Sequence, residues 1–217
     1  MKPPRFSYHD PQSVSDTVGL PAKLENARVL AGGQSLMPML NMRYVLPDNI
    51  IDINRVDGLS YIREQNGSLE IGAMTRQRDI EFSALVAKRC PLMHEAIRQV
   101  GHRQTRNRGT LGGSLCHLDP SAELVSVAAA LDAKVSVAGK NGARDIDFAA
   151  FPVAYMTPAI ELDELNPEAD PALLAFELKA LLVAANNSFI LLDDPTAFAQ
   201  ARQVIGKRLQ PPTRQHS

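Results

Sequence analysis

Ala31-Gly32-Gly33-Gln34-Ser35-Leu36 and Thr110-Leu111-Gly112-Gly113-Ser114-Leu115 are the stretches on which the reading of this chain turns. Each sets two glycines where an apolar strand or a basic turn runs into an apolar, helix-like stretch. Glycine lacks a Cβ, so backbone N–H groups can approach an anion closely and the chain can take positive φ. Read together, the two segments are halves of one phosphate-binding site and point to a dinucleotide gripped by its pyrophosphate. Neither carries G-x-G-x-x-G or G-x-x-x-x-G-K-[ST], so the Rossmann and nucleotide-hydrolase fingerprints are absent.

Outward from the first segment, Ala27–Ala31 reads as a short strand and Leu36–Met42 as a compact helix. Ser35 is the expected N-cap, and Pro38 falls in the first turn, where a missing N–H costs nothing. Asn49–Ile53, Leu59–Glu64 and Leu69–Gly72 follow as a small antiparallel β unit, with Asn66-Gly67 as its hairpin turn. Thr75–Ala87 and Leu92–Val100 read as two helices separated at Cys90-Pro91, because proline disfavours helical geometry in the residue before it. After the second glycine segment, Asp119 is the expected cap and Pro120 the first residue of a nearly all-apolar helix through Leu131. Lys134–Ala138 returns as a strand that turns at Asn141-Gly142. The fold class is α+β.

The 217 residues, 45% hydrophobic, suffice for one large or two small domains. A formal charge of −1 excludes an electrostatic case for nucleic acid or an anionic membrane. No apolar run is long enough for a signal sequence or a transmembrane segment, so cytoplasmic placement is expected. Two cysteines, Cys90 and Cys116, cannot build a disulfide framework, a zinc site or an iron–sulfur centre.

His102, Arg103, Arg106 and Arg108 gather positive charge just before the second glycine segment. Glu123, one turn into the following helix, is placed to accept hydrogen bonds from a ribose or adenine, or else serves the helix dipole. Cys116-His117 is read as structural, on the expectation that neighbours on a strand face opposite ways. Met37, Met39 and Met42 are expected in the core, and Arg76 and Arg78 on a solvated surface.

Four stretches in register carry a family resemblance: Ala31–Pro38, Ile71-Gly72-Ala73-Met74-Thr75, Arg106–Ser114 and Asp119-Pro120-Ser121-Ala122-Glu123. From about Pro4 to Leu165 the chain resembles the FAD-binding medium subunits of molybdenum hydroxylases, the xanthine dehydrogenase family, and among them most the medium subunits of aerobic carbon monoxide dehydrogenases. The resemblance implies a PCMH-type FAD-binding fold of two α+β subdomains, residues 1–57 and 58–165, with FAD extended between them. It implies that Ala31, Gly32, Gly33, Gln34, Ser35 and Leu36 contact the pyrophosphate through backbone amides. Thr110, Leu111, Gly112, Gly113 and Ser114 would complete the cradle, Glu123 would meet the adenosine portion, and Val100 would lie near the flavin. It implies no catalytic side chain and no metal ligand.

The implied partners are a molybdopterin-binding large subunit and a two-cluster iron–sulfur small subunit, with NAD, a quinone or oxygen as the final acceptor. Residues 166–217 form a divergent tail in place of the family's C-terminal domain, and FAD binding weaker than in full-length relatives is expected. The alternatives are a truncated, catalytically incompetent remnant or assembly module of such a complex, and a single-chain reductase resembling UDP-N-acetylmuramate dehydrogenase, for which the chain has no room for a substrate domain.

Overall fold

The computed structural model describes residues 2–119 and 121–151. The expectations for Pro120 and for the tail from 166 lie outside the described residues. The chain divides into two compact units: one holds the residues up to His117 with Ser136–Arg144, the other Leu118–Val135 with the residues from Asp145. The boundary drawn from sequence between 57 and 58 falls inside the first unit.

In the first unit, β1 (Ser7–His9), β2 (Ala27–Leu30) and β3 (Asn49–Asp52) form a three-stranded sheet in the order β1-β3-β2. Both pairings with β3 are parallel, with Ser7 and Ala27 each opposite Asn49. This corrects the assignment of Asn49–Ile53 to an antiparallel unit. Ile50 and Ile51, adjacent and therefore on opposite faces, are 1% and 0% exposed. A strand buried on both faces is the mark of a central parallel strand. The chain returns between the parallel strands through α1 (Val14–Gly19) and α2 (Leu36–Asn41), and Leu40 of α2 is fully buried. Ser35 precedes α2 without a side-chain capping bond, whereas Ser13 caps α1 by accepting from the Asp16 amide. Met37 and Met39 are half-buried and Met42 is 45% exposed, so none of the three methionines expected in the core is fully buried.

β4 (Ile62–Gln65) and β5 (Ser68–Ile71) form the expected antiparallel hairpin, with Asn66 and Gly67 both at positive φ. The first predicted helix is interrupted. α3 (Gln77–Phe82) and α4 (Ala84–Arg89) are separated at Ser83, whose extended backbone ends one helix while its hydroxyl accepts from the Val86 amide to start the next. α5 (Pro91–Gln99) begins on Pro91 and ends on Gln99, one residue earlier at each end than expected, after the expected break at Cys90. Ile80, Val86, Met93 and Ile97 supply the buried face of these helices. The basic segment, read as a turn, is the helix α6 (Arg103–Arg108), which packs against α3.

Gly112 and Gly113 lie inside the next helix, α7 (Leu111–His117), which also carries Cys116 and His117. That pair is therefore helical, not part of a strand. Desolvation pushes the Cys116 thiol up, the direction opposite to that of an activated nucleophile.

In the second unit, α8 (Glu123–Ala130) buries Leu124, Val125, Val127 and Ala128. Its N-cap is Ala122, not Asp119. Asp119 instead closes a local turn, its carboxylate accepting from the Ser121 amide and hydroxyl at 2.9 and 2.7 Å. β6 (Lys134–Gly139) and β7 (Gly142–Asp147), whose residues Ser136–Arg144 are counted with the first unit, form a two-stranded sheet with Gly142 at φ +101°.

Candidate functional site

The first glycine segment leaves the C-terminal end of β2. In parallel α/β units this carboxyl edge is where ligand loops are presented, because each strand there gives way to a connection. Gly33 has φ +72°, a left-handed value that directs successive amides to one side. Among the described residues, the amide groups of Gly32, Gly33, Gln34, Ser35 and Leu36 donate to no protein acceptor; the first amide used internally is that of Met37, to the Gly33 carbonyl at 3.1 Å. Five consecutive unspent donors around a left-handed glycine suit an anion.

The second glycine segment is built differently. Four consecutive amides are already spent: Leu111 donates to Thr75 O at 3.1 Å, Gly112 to Ala73 O at 2.8 Å, Gly113 to Thr110 Oγ1 at 3.1 Å and Ser114 to Thr110 O at 3.2 Å. Its glycines serve close packing. A Cβ on Gly112 would stand 2.8 Å from the Ala73 Cβ and 2.9 Å from its carbonyl oxygen. The sequence expectation of a freely presented amide row there is corrected: the row belongs to the first segment, and the second is a fixed wall.

The two segments meet. A Cβ on Gly32 would overlap the Arg108 carbonyl oxygen and stand 2.8 Å from the Gly109 Cα, while one on Gly113 would lie 3.6 Å from the Ala31 Cβ. Gly109 in turn leaves room for Gln77, whose Oε1 is buried without a hydrogen-bond partner among the described residues. Thus two stretches far apart in sequence are joined through contacts that only glycine permits.

Polar groups the sequence reading passed over hold this junction. Asn54 Nδ2 donates to the Ala31 carbonyl at 2.8 Å, and Asn54 Oδ1 accepts from Arg76 Nη2 at 2.7 Å. Arg76 Nη1 donates to the Arg108 carbonyl at 2.6 Å. Arg76 is therefore no free surface cation. Arg78 is not one either: it pairs with Glu81 at 3.1 Å and lies 4.0 Å over the Phe82 ring. Asp52, at the end of β3, accepts from the Asn54 amide at 2.8 Å and from the Tyr8 hydroxyl at 2.6 Å. Partial burial works to raise the Asp52 carboxyl, but these hydrogen bonds and that from the Asn54 side chain outweigh it and hold the group below its ordinary range.

Arg106 does not face solvent. It grips Glu81 through Nε at 2.9 Å and Nη2 at 3.3 Å, and donates from Nη1 to the Val100 and Gly101 carbonyls at 2.9 and 3.2 Å. Val100, half-buried at the end of α5, is thereby fixed to α3. The Arg106 hydrogen bonds are the main reason that the Glu81 carboxyl lies below its ordinary value. Of the basic cluster, Arg103 and Arg108 are exposed, and their side chains engage no partner among the described residues. Glu123 is the first residue of α8 in the second unit, partly exposed.

The family described as "FAD binding domain in molybdopterin dehydrogenase" matches residues 4–166. The chain belongs to this family. The FAD-binding domain is 39% identical over 169 residues to the carbon monoxide dehydrogenase medium chain of Hydrogenophaga pseudoflava, covering 77% of this chain and 59% of that one. It is 40% identical over 146 residues to the glyceraldehyde dehydrogenase medium chain of Sulfolobus acidocaldarius, covering 67% and 52%. Among solved structures, the carbon monoxide dehydrogenase of H. pseudoflava that lacks the Mo-pyranopterin moiety superposes with a TM-score of 0.68 at 42% identity, over 70% of this chain and 53% of that one. The chain thus spans little more than half the length of these relatives. A second family, "Tetracyclin repressor-like, C-terminal domain", matches residues 147–205. Most of that stretch lies beyond the described residues, and it gives the tail a likeness that the sequence reading did not find.

The residues present fit FAD. Its pyrophosphate requires several donors close together and little steric bulk, which the unspent amides from Gly32 to Leu36 and the Cβ-free junction provide.

Proposed function

We propose that this chain is the FAD-binding, electron-transferring subunit of a molybdenum hydroxylase complex resembling carbon monoxide and xanthine dehydrogenases. The observation that carries the reading is the row of five unspent amides, closed on one side by a segment packed against Gly32, in a domain of an FAD-binding family. The relatives' designation as medium chains supports a place in a multi-chain enzyme.

In this reading the amides of Gly32–Leu36 bind the pyrophosphate, and Thr110–Ser114, with Ala31, form the wall against it. Arg103 and Arg108 raise the local positive potential in a chain with almost no net charge. Val100, tied down through Arg106, borders the ring, and Glu123 accepts from the adenosine. Bound flavin supplies one- and two-electron redox chemistry, while the chain's own residues bind, orient and exclude solvent. None needs to act as acid, base or nucleophile. The partners in this reading are a two-cluster iron–sulfur chain and a molybdopterin-bearing chain, in the cytoplasm, with NAD, a quinone or oxygen as acceptor.

Co-expression with the large molybdopterin-binding chain and the small iron–sulfur chain of a molybdenum hydroxylase tests this. A complex whose flavin absorbance bleaches when its substrate is added is the expected result. A chain that purifies alone, with no flavin reduced through any partner, would refute the subunit reading.

A further inference from the structure

The carbonyls that stitch the two glycine segments together are all held by one pair of side chains. Asn54 and Arg76 are the two middle members of a short relay: Ala31 carbonyl, Asn54 side-chain amide, Arg76 guanidinium, Arg108 carbonyl, with bonds of 2.8, 2.7 and 2.6 Å. Asn54 is itself anchored through its backbone amide to Asp52, which Tyr8 holds from β1. The relay thus runs from the carboxyl edge of the parallel sheet to the segment before α7. Each carbonyl it takes belongs to a peptide at the junction: Ala31 O precedes the Gly32 amide, and Arg108 O is the atom that a Cβ on Gly32 would overlap.

A peptide whose carbonyl is drawn to one side presents its N–H to the other. Fixing Ala31 O on Asn54 therefore aims the Gly32 amide away from the relay, at the head of the unspent amide row. Fixing Arg108 O on Arg76 keeps that oxygen, an acceptor that would repel phosphate, turned aside. Arginine suits the task because its planar fork supplies two donors at fixed separation, one for each carbonyl-side partner; a lysine ammonium is a single point.

We propose that Asn54 and Arg76 are positioning residues for a pyrophosphate-bearing dinucleotide, clasping the two glycine segments so that the first presents its amides and the second withholds its carbonyls. The inference rests on the reading that these segments hold FAD. Neither side chain needs to touch the cofactor.

The test measures binding of FAD, and of ADP as a ring-free pyrophosphate competitor, to the full chain and to Arg76→Met, Arg76→Lys and Asn54→Asp, with thermal melting of each flavin-free protein. Arg76→Met removes two hydrogen bonds of a charged donor and is expected to weaken FAD about ten- to a hundred-fold. ADP should weaken in parallel, because the defect lies at the phosphates. Arg76→Lys should fail to restore binding. Asn54→Asp keeps an acceptor for Arg76 but loses the donor that Ala31 O and Asp52 Oδ1 share, and should give a smaller loss of both ligands. The flavin-free melting temperatures should stay close to wild type. Variants that bind FAD and ADP as wild type does would overturn the clasp while leaving the FAD reading intact. Loss of binding only in step with a lowered melting temperature, in all three variants, would reduce the relay to a structural role. A wild-type chain that binds neither ligand would overturn the FAD reading itself, and the clasp with it.

Discussion

Substituting Gly32 by alanine adds one methyl group at the point where the two glycine segments touch. The new Cβ overlaps the Arg108 carbonyl oxygen, stands 2.8 Å from the Gly109 Cα and 3.0 Å from the Arg108 carbonyl carbon, and every one of these atoms is backbone. Carbon atoms settle at about 3.5–4.0 Å, so the segments must part by roughly 1 Å. Such overpacking costs about 1–3 kcal/mol, or a fall in melting temperature of about 2–12 °C for a chain of this size. The effect on the cofactor is larger. Parting the wall from the amide row puts at least two phosphate hydrogen bonds out of reach, each about 1.5–3 kcal/mol when charge-assisted. Two lost together raise Kd by about two to four orders of magnitude. Flavin fluorescence titration beside differential scanning fluorimetry reads both quantities. A Gly32→Ala chain that binds FAD with wild-type affinity would refute the claim that the packed junction forms the site.

Gly33→Val forces a β-branched residue into φ +72° and against Met37 and Leu30, whereas Gly113→Val brings a side chain against Thr110 Oγ1 at 2.8 Å. Both should abolish FAD retention while far-ultraviolet circular dichroism remains near wild type. The Glu81 carboxyl is held below its ordinary value of 4.5, first by the Arg106 hydrogen bonds. A depressed folded-state value means that the pair's contribution is fully present above the unfolded value and is lost as pH falls through the folded one. Glu81→Gln should therefore lower the melting temperature at neutral pH and flatten its decline in acid, and an unchanged acid limb would contradict the pairing. Ser83→Ala deletes the cap of α4, a 3.2 Å bond to the Val86 amide, and should cost about 1 kcal/mol in thermal or urea unfolding.

Local chemistry was legible where one residue type dictates one geometry. Asn66-Gly67 specified the hairpin through two positive φ values, and Cys90-Pro91 marked a helix boundary that the backbone keeps. The glycine pairs marked the junction of the two segments, although for different reasons in its two halves. What remained hidden depends on partners distant in sequence. The parallel pairing of Asn49–Asp52 needed Ser7–His9, a three-residue strand too short to show a period, although the adjacent buried isoleucines carried the signal of a central strand. α6 has no apolar periodicity; Arg106, gripping Glu81 and the end of α5, sits within it. Arg76 reads as a solvated surface residue and Asn54 carries no signal at all, because hydrogen bonds to backbone carbonyls leave no trace in composition.

The most direct test of the account is the visible spectrum of the purified full chain after incubation with FAD and desalting, with riboflavin, which lacks the pyrophosphate, as the control. Retained flavin absorbance with FAD and none with riboflavin is the predicted result. A well-folded chain that emerges colourless from both would contradict the pyrophosphate site and favour a remnant that keeps the fold without the cofactor.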